Sequence, residues 1–170
     1  MTPTQECPGC GLSLPTANGA TDPYGGASPA CWASFGEVIA RDFGEYRYPD
    51  VHRLIVDAYM AQHPGFATAA GRRSVVVHLV GLYLVLAQGF PSQDIGAVLG
   101  LVFRDKRDAA PLTPVPFLGE RTIADVQAAR DLAEHARAGR AWADAVWRAW
   151  SPHHPTIIAF ADAALARRDA

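Results

Sequence analysis

The sequence predicts an all-α protein, a compact bundle of about five to six helices with a zinc-knuckle loop at its N-terminus. Three observations carry this expectation. Apolar residues recur at helical spacing from Trp32 onward, caps and stops bracket those stretches, and a short CPGCG segment precedes them all. The chain of 170 residues has a length that suits one domain, and 49% hydrophobic with 19% charged residues is a globular composition. It divides into a metal-binding N-terminal loop over 1–28, a helical core over 29–103, a proline-rich loop over 104–121 and C-terminal helices over 122–170.

The first helix is expected from Pro29 to Phe43. Ser28 can cap it, Pro29 fits its first position, Trp32, Phe35, Val38 or Ile39 and Phe43 line one face, and Gly44 ends it. The second, DVHRLIVDAYMAQH, follows Pro49 with Asp50 as cap and is broken by Pro64; its inward stripe is His52, Ile55, Val56, Tyr59 and His63. The third, over about 72–88, is apolar nearly all round and so belongs at the centre of the core, ending at Gly89. PSQDIGAVLGLVF reads as a short helix capped by Ser92. Thr122 with Asp125 opens another, TIADVQAARDLAEHARAG, which closes near Gly139. RAWADAVWRAW repeats tryptophan at Trp142, Trp147 and Trp150, read as core anchors, and a last helix starts at about Pro155, after His153 and His154.

Composition narrows the partners. A net charge of -2 leaves no basic stripe for phosphate backbones, so nucleic acid is not expected and the partner is an unidentified protein or small molecule. The most apolar run, 74–87, is shorter than the roughly 20 residues of a membrane span and carries His78 in its middle, so no membrane role is expected. MTPTQECPGC lacks a positively charged segment followed by an apolar one, which places the chain in the cytoplasm.

Three cysteines are an odd number, and reducing conditions keep thiols free, so a disulfide framework is not expected. In Cys7-Pro8-Gly9-Cys10-Gly11 the proline stiffens the loop and the glycines let backbone N–H groups turn toward sulfur, as a zinc knuckle needs. A redox Cys-x-x-Cys sits between a strand and a helix, and neither is evident here; a thiol switch of Cys7 and Cys10 is the lesser alternative. Cys31, in the first turn of the first helix, is where the macrodipole favours a thiolate, against the alternative of a small buried hydrophobe. Structural zinc is almost always four-coordinate, so Cys7, Cys10 and Cys31 need a fourth ligand.

Helices joined by a short loop pack antiparallel, which returns the end of the second helix to the start of the first and puts His63 beside Cys31. His52 lies eleven residues away, about 16 Å at 1.5 Å per residue. His63 is therefore the expected fourth ligand, with His78, His52 and a water as alternatives. Zinc is the expected ion, and iron suits the same donors. In an antiparallel pair His78 comes level with Asp57, a contact that either satisfies a core histidine or orients a general base. His52, Asp57, His78, His153 and His154 are accordingly the catalytic candidates of an alternative reading, an acid/base enzyme or metalloenzyme with a histidine-rich pocket. No Walker or Rossmann glycine spacing, His-Glu-x-x-His or Gly-x-Ser-x-Gly occurs.

Taken in order, CPGCG, GASPACW, HRLIVDAYMAQHPG, SVVVHLVGLYLVLAQG and WRAWSPHHPT resemble an uncharacterised bacterial family catalogued as domain of unknown function 5946. The resemblance spans nearly the whole chain. It rests on Cys7, Pro8, Cys10, Gly11, Ser28, Pro29, Cys31, Trp32, His52, Asp57, Tyr59, Gln62, His63, Pro64, Ser74, His78, Trp150, His153 and His154. It implies a shared fold and a histidine constellation joined to the cysteines, and it brings no characterised activity.

Overall fold

Glycines and prolines punctuate the first thirty residues, and only the stretch flanking the cysteine pair is extended. In the computed structural model, which describes residues 3–22, 25–105, 112–116 and 119–169, β1 (Thr4–Glu6) pairs antiparallel with β2 (Ser13–Pro15). Seven α-helices follow among the described residues: α1 (Pro29–Phe43), α2 (His52–Gln62), α3 (Ala69–Leu82), α4 (Gly96–Arg104), α5 (Ile123–Gln127), α6 (Leu132–Ala149) and α7 (His154–Arg168). A π-helical turn, Tyr83–Ala87, extends α3, and a 3-10 turn, Ser151–His153, leads into α7. Among the described residues the protein is all-α apart from the two-stranded hairpin.

Helix α2 is the most enclosed element, with nine of its eleven residues buried, packed chiefly between α3 and α6. Its apolar content alone points elsewhere, to α3, because α2 buries Asp57, Tyr59 and Gln62 as well as Leu54 and Ile55. Those polar groups are tolerated because each has a partner, and an unpartnered one would cost its full desolvation. Trp142 Nε1 donates to Gln62 Oε1 at 3.1 Å and Trp150 Nε1 donates to the Ala61 carbonyl at 3.1 Å, so two of the tryptophans anchor α6 and its C-cap to α2. Helix α3 lies against α2, α4 and α7. Among the described residues, 69–87 is the one helix long and apolar enough to cross a membrane, and 56% of its apolar window is buried inside the fold.

Several boundaries differ from the sequence reading, each for a local reason. Asp50 does not cap α2; Val51 holds that position without a side-chain bond. Ser92 does not cap α4 either, because its hydroxyl donates to the Asp50 carbonyl at 2.9 Å and ties two loops together. The helix expected to close at Gly139 breaks instead before Asp131, which caps α6 by accepting from Glu134 N at 2.8 Å. Helix α6 then runs through Gly139 to Ala149, which adds one helix to the number expected. Gly139 is a packing glycine: a Cβ there would lie 2.9 Å from Val51 and 2.8 Å from Ile55. Of the proline-rich loop, 106–111 and 117–118 lie outside the described residues, while Leu112 and Val115 are buried in the core.

Candidate metal centre

The hairpin turns at the cysteine pair. Cys7 N donates to the Leu12 carbonyl at 2.9 Å, Gly11 N donates to the Cys7 carbonyl at 2.8 Å, and Gly11 takes a φ of 74°, a left-handed conformation that favours glycine. A short strand does precede Cys7, which the sequence did not reveal, but a return strand follows Cys10 where a redox motif would start a helix. Gly9 is required by contact: a Cβ there would collide with the His63 imidazole.

Cys31 is placed by the helix start read from the sequence. Ser28 Oγ accepts from Cys31 N at 3.3 Å, Pro29 opens α1, and Ser28 N itself points at Cys7 Sγ, 3.4 Å away. His63 ends α2, and its Nδ1 donates to the Tyr59 carbonyl at 2.7 Å, so Nε2 is the nitrogen left with a free lone pair. That nitrogen lies 3.3 Å from Cys31 Sγ, and Cys31 Sγ lies 3.8 Å from Cys10 Sγ. The ligand atoms of Cys7, Cys10, Cys31 and His63 all fall within 4.8 Å of one another and could hold a metal ion. Cys7, Cys31 and His63 are buried and Cys10 is partly so.

Two further facts fit a cation. Bonds of about 2.3 Å to a tetrahedral zinc put two sulfurs about 3.8 Å apart, the Cys10–Cys31 separation, whereas a disulfide needs about 2.05 Å, and all three thiols are free. The charges of the cluster also do not close by themselves. Hydrogen bonds from Cys10 and Cys31 hold Cys7 far below the ordinary thiol range, while the thiols of Cys10 and Cys7, with burial, push Cys31 far above it. Burial alone would depress His63, but the thiols of Cys10 and Cys7 outweigh it and raise its pKa to about 9. One thiolate is welcomed and the next is resisted, as expected for like charges sharing a site without a counter-ion. Tyr59 stands beside the sulfurs, where its hydroxyl donates to Cys31 Sγ at 3.7 Å, and its ring stacks on Phe35 at 4.0 Å. Burial and then the Cys31 charge push the Tyr59 phenol upward.

The other histidines do not join this cluster, so a single constellation of histidines and cysteines is not what the fold builds. His78 Nδ1 donates to Asp57 Oδ1 at 2.7 Å, the contact expected from helix pairing. His52 Nδ1 donates to Asp42 Oδ2 at 2.8 Å instead of facing the sulfurs. His153 Nε2 donates to the Thr113 carbonyl at 3.0 Å, while His154 Nε2 donates to the Trp147 carbonyl at 2.9 Å and its ring stacks on Trp147 at 3.7 Å. These five residues, Asp57 included, therefore occupy several separate places and form no common pocket.

Sequence reasoning missed Asp42 and His135. Both are fully buried, and His135 Nε2 donates to Asp42 Oδ1 at 2.6 Å, so that one carboxylate receives an imidazole on each oxygen. Two signals were present. Asp42 sits in the last turn of α1, where the dipole disfavours a carboxylate unless something compensates it, and His135 falls on the α6 stripe with Gly139, Trp142, Ala143 and Val146.

A family model described as a family of unknown function (DUF5946) matches residues 5–151. The chain belongs to DUF5946. All four residues of the cluster, and Asp42, His52 and His135, lie inside the DUF5946 match, whereas His153 and His154 lie beyond its end. No curated protein and no solved structure matches the chain.

Proposed function

We propose that Cys7, Cys10, Cys31 and His63 bind one zinc ion, and that this ion is structural, fastening the N-terminal hairpin to α1 and α2 of a single helical domain that serves as a binding or regulatory module. The observation that supports this is the convergence of four lone pairs from three separate elements, with the second nitrogen of His63 already committed to the Tyr59 carbonyl. Three thiolates and one imidazole are a structural zinc set, and four protein ligands leave no open position for a substrate. The free thiols suit the reducing cytoplasm, where we place the protein.

Native mass spectrometry with elemental analysis, before and after a chelator, is the test. One zinc per chain, with loss of helical circular dichroism when it is stripped, is the expected result. One iron per chain would replace zinc by the other ion that such donors accept. A metal-free chain that stays folded would overturn the reading and favour the Cys7–Cys10 thiol switch.

A further inference from the structure

Asp57 is fully buried and is held from several sides. Arg53 Nε and Nη2 donate to its two oxygens at 2.9 and 2.7 Å, His78 Nδ1 donates to it at 2.7 Å, and α3 closes on it so tightly that a Cβ at Gly81 would collide with Oδ2. A carboxylate so enclosed fixes the orientation and tautomer of the imidazole, with the proton on Nδ1 and a lone pair on Nε2. Nε2 has no hydrogen bond to any described residue, and the His78 side chain, 16% exposed, opens on a cavity of about 310 Å³ between α2, α3 and α4.

The cavity has one cationic side and one apolar side. Arg73 and Ser74 line it together with His78, all three from α3, where positions 73, 74, 77 and 78 share a face. Arg73 is half-buried and has no carboxylate partner among the described residues, whereas Arg53 and Arg72 on the same flank are engaged with Asp57 and the Phe66 carbonyl. Among the described residues no acidic side chain lines the cavity. Met60, Val77 and Phe103 form the other wall, and Phe103 is 58% exposed, an aromatic ring that an occupant would cover. A concave, mostly apolar space with a few oriented polar groups is the ordinary form of a small-molecule site.

We propose that this cavity binds a small hydroxy acid with an apolar body. Its carboxylate is received by Arg73 and the Ser74 hydroxyl, its own hydroxyl donates to His78 Nε2, and its carbon chain lies on Met60, Val77 and Phe103. Asp57 and Arg53 touch no ligand and act as positioning residues for His78.

The test is a titration of the full, metal-loaded chain with 2-hydroxyhexanoate, followed by amide chemical shifts, with hexanoate and 1-hexanol as comparison probes. Shifts confined to the cavity-facing ends of α2, α3 and α4 are expected, with hexanoate weaker and 1-hexanol weakest. Arg73→Gln removes a charged donor and lowers affinity by about tenfold or more, while its melting temperature stays that of the parent, since the guanidinium makes no hydrogen bond or ion pair to another described residue. Phe103→Ala also weakens binding. Absence of shifts at millimolar probe, unchanged affinity in Arg73→Gln, or 1-hexanol binding as tightly as the acid would each overturn the proposal; equal binding of hexanoate and 2-hydroxyhexanoate would overturn the assignment to His78.

Discussion

Two buried polar clusters tie helices together in this protein, and they are built on opposite electrostatic plans. In the Asp42 cluster one carboxylate from α1 meets N–H donors of His52 from α2 and His135 from α6, so donors and acceptor satisfy each other. In the cysteine cluster every group faces inward with a lone pair, and the surroundings supply N–H and O–H bonds to sulfur without supplying a matching charge. The first closes without an ion, and the second could hold one. Histidine and carboxylate in proximity are therefore a weak sign of a metal, whereas convergent, acceptor-only geometry is a strong one. The Asp42 cluster carries its own costs: Arg47 and Tyr48, in the link that lets Tyr48 N donate to the Asp42 carbonyl, have φ of 54° and 61°, and His135 Nδ1 is buried without a partner among the described residues.

Cys10→Ser should separate the two clusters most forcefully. Structural zinc binding is worth roughly 10 to 16 kcal/mol in small zinc domains, comparable to the whole stability of a folded domain, so this variant should lose zinc and unfold, read by elemental analysis and circular dichroism. Asp42→Ala should come next, at about 3 to 5 kcal/mol in chemical denaturation, because two buried imidazoles lose their common acceptor. Its zinc content should remain that of the parent; a loss of zinc would show that the two clusters are coupled through α1. Gly9→Ala should cost about 1 to 3 kcal/mol, since the added methyl must displace the His63 ring, and the cost should appear as weakened zinc affinity in a chelator competition. Tyr59→Phe should be smallest, at about 1 kcal/mol, removing one long O–H to sulfur bond and leaving the ring stack on Phe35 intact. Zinc uptake by any folded variant should release protons, because ligand thiols bind metal as thiolates, and calorimetry in buffers of different ionisation enthalpy reads that number directly.

How much of each cluster was legible in the sequence follows from the distances along the chain that it spans. Cys7 and Cys10 are three residues apart, Cys31 sits behind a Ser-Pro helix start, and His63 ends a helix joined to the first by a short link, so antiparallel pairing sufficed to bring them together. Asp57 and His78 pair across the next helix contact for the same reason. His135 reaches Asp42 from 93 residues away. No periodicity in either segment points to the other, and the meeting arises from the packing of α6 on α2 and on α5, which in turn lies against α1. The hairpin strands were illegible for a related reason: three-residue strands leave too little pattern to detect. The boundaries of α4 and α6 were misread where a side chain that could cap was bound elsewhere, as Ser92 is to the Asp50 carbonyl, or where a glycine reads as a stop but serves a close crossing, as Gly139 does against Val51 and Ile55.

Local caps, short spacing and one helix pairing sufficed for the all-α class, the start of α1 and the approach of His63 to the three cysteines. Helix packing then settles that His52 turns to Asp42, that His153 and His154 bind backbone carbonyls, and that His78 opens on a cavity beside Arg73, which has no carboxylate partner among the described residues. A histidine has two nitrogens that can donate or accept, so its role is set by whichever groups the packed helices bring within hydrogen-bond reach, and those groups come from anywhere in the chain.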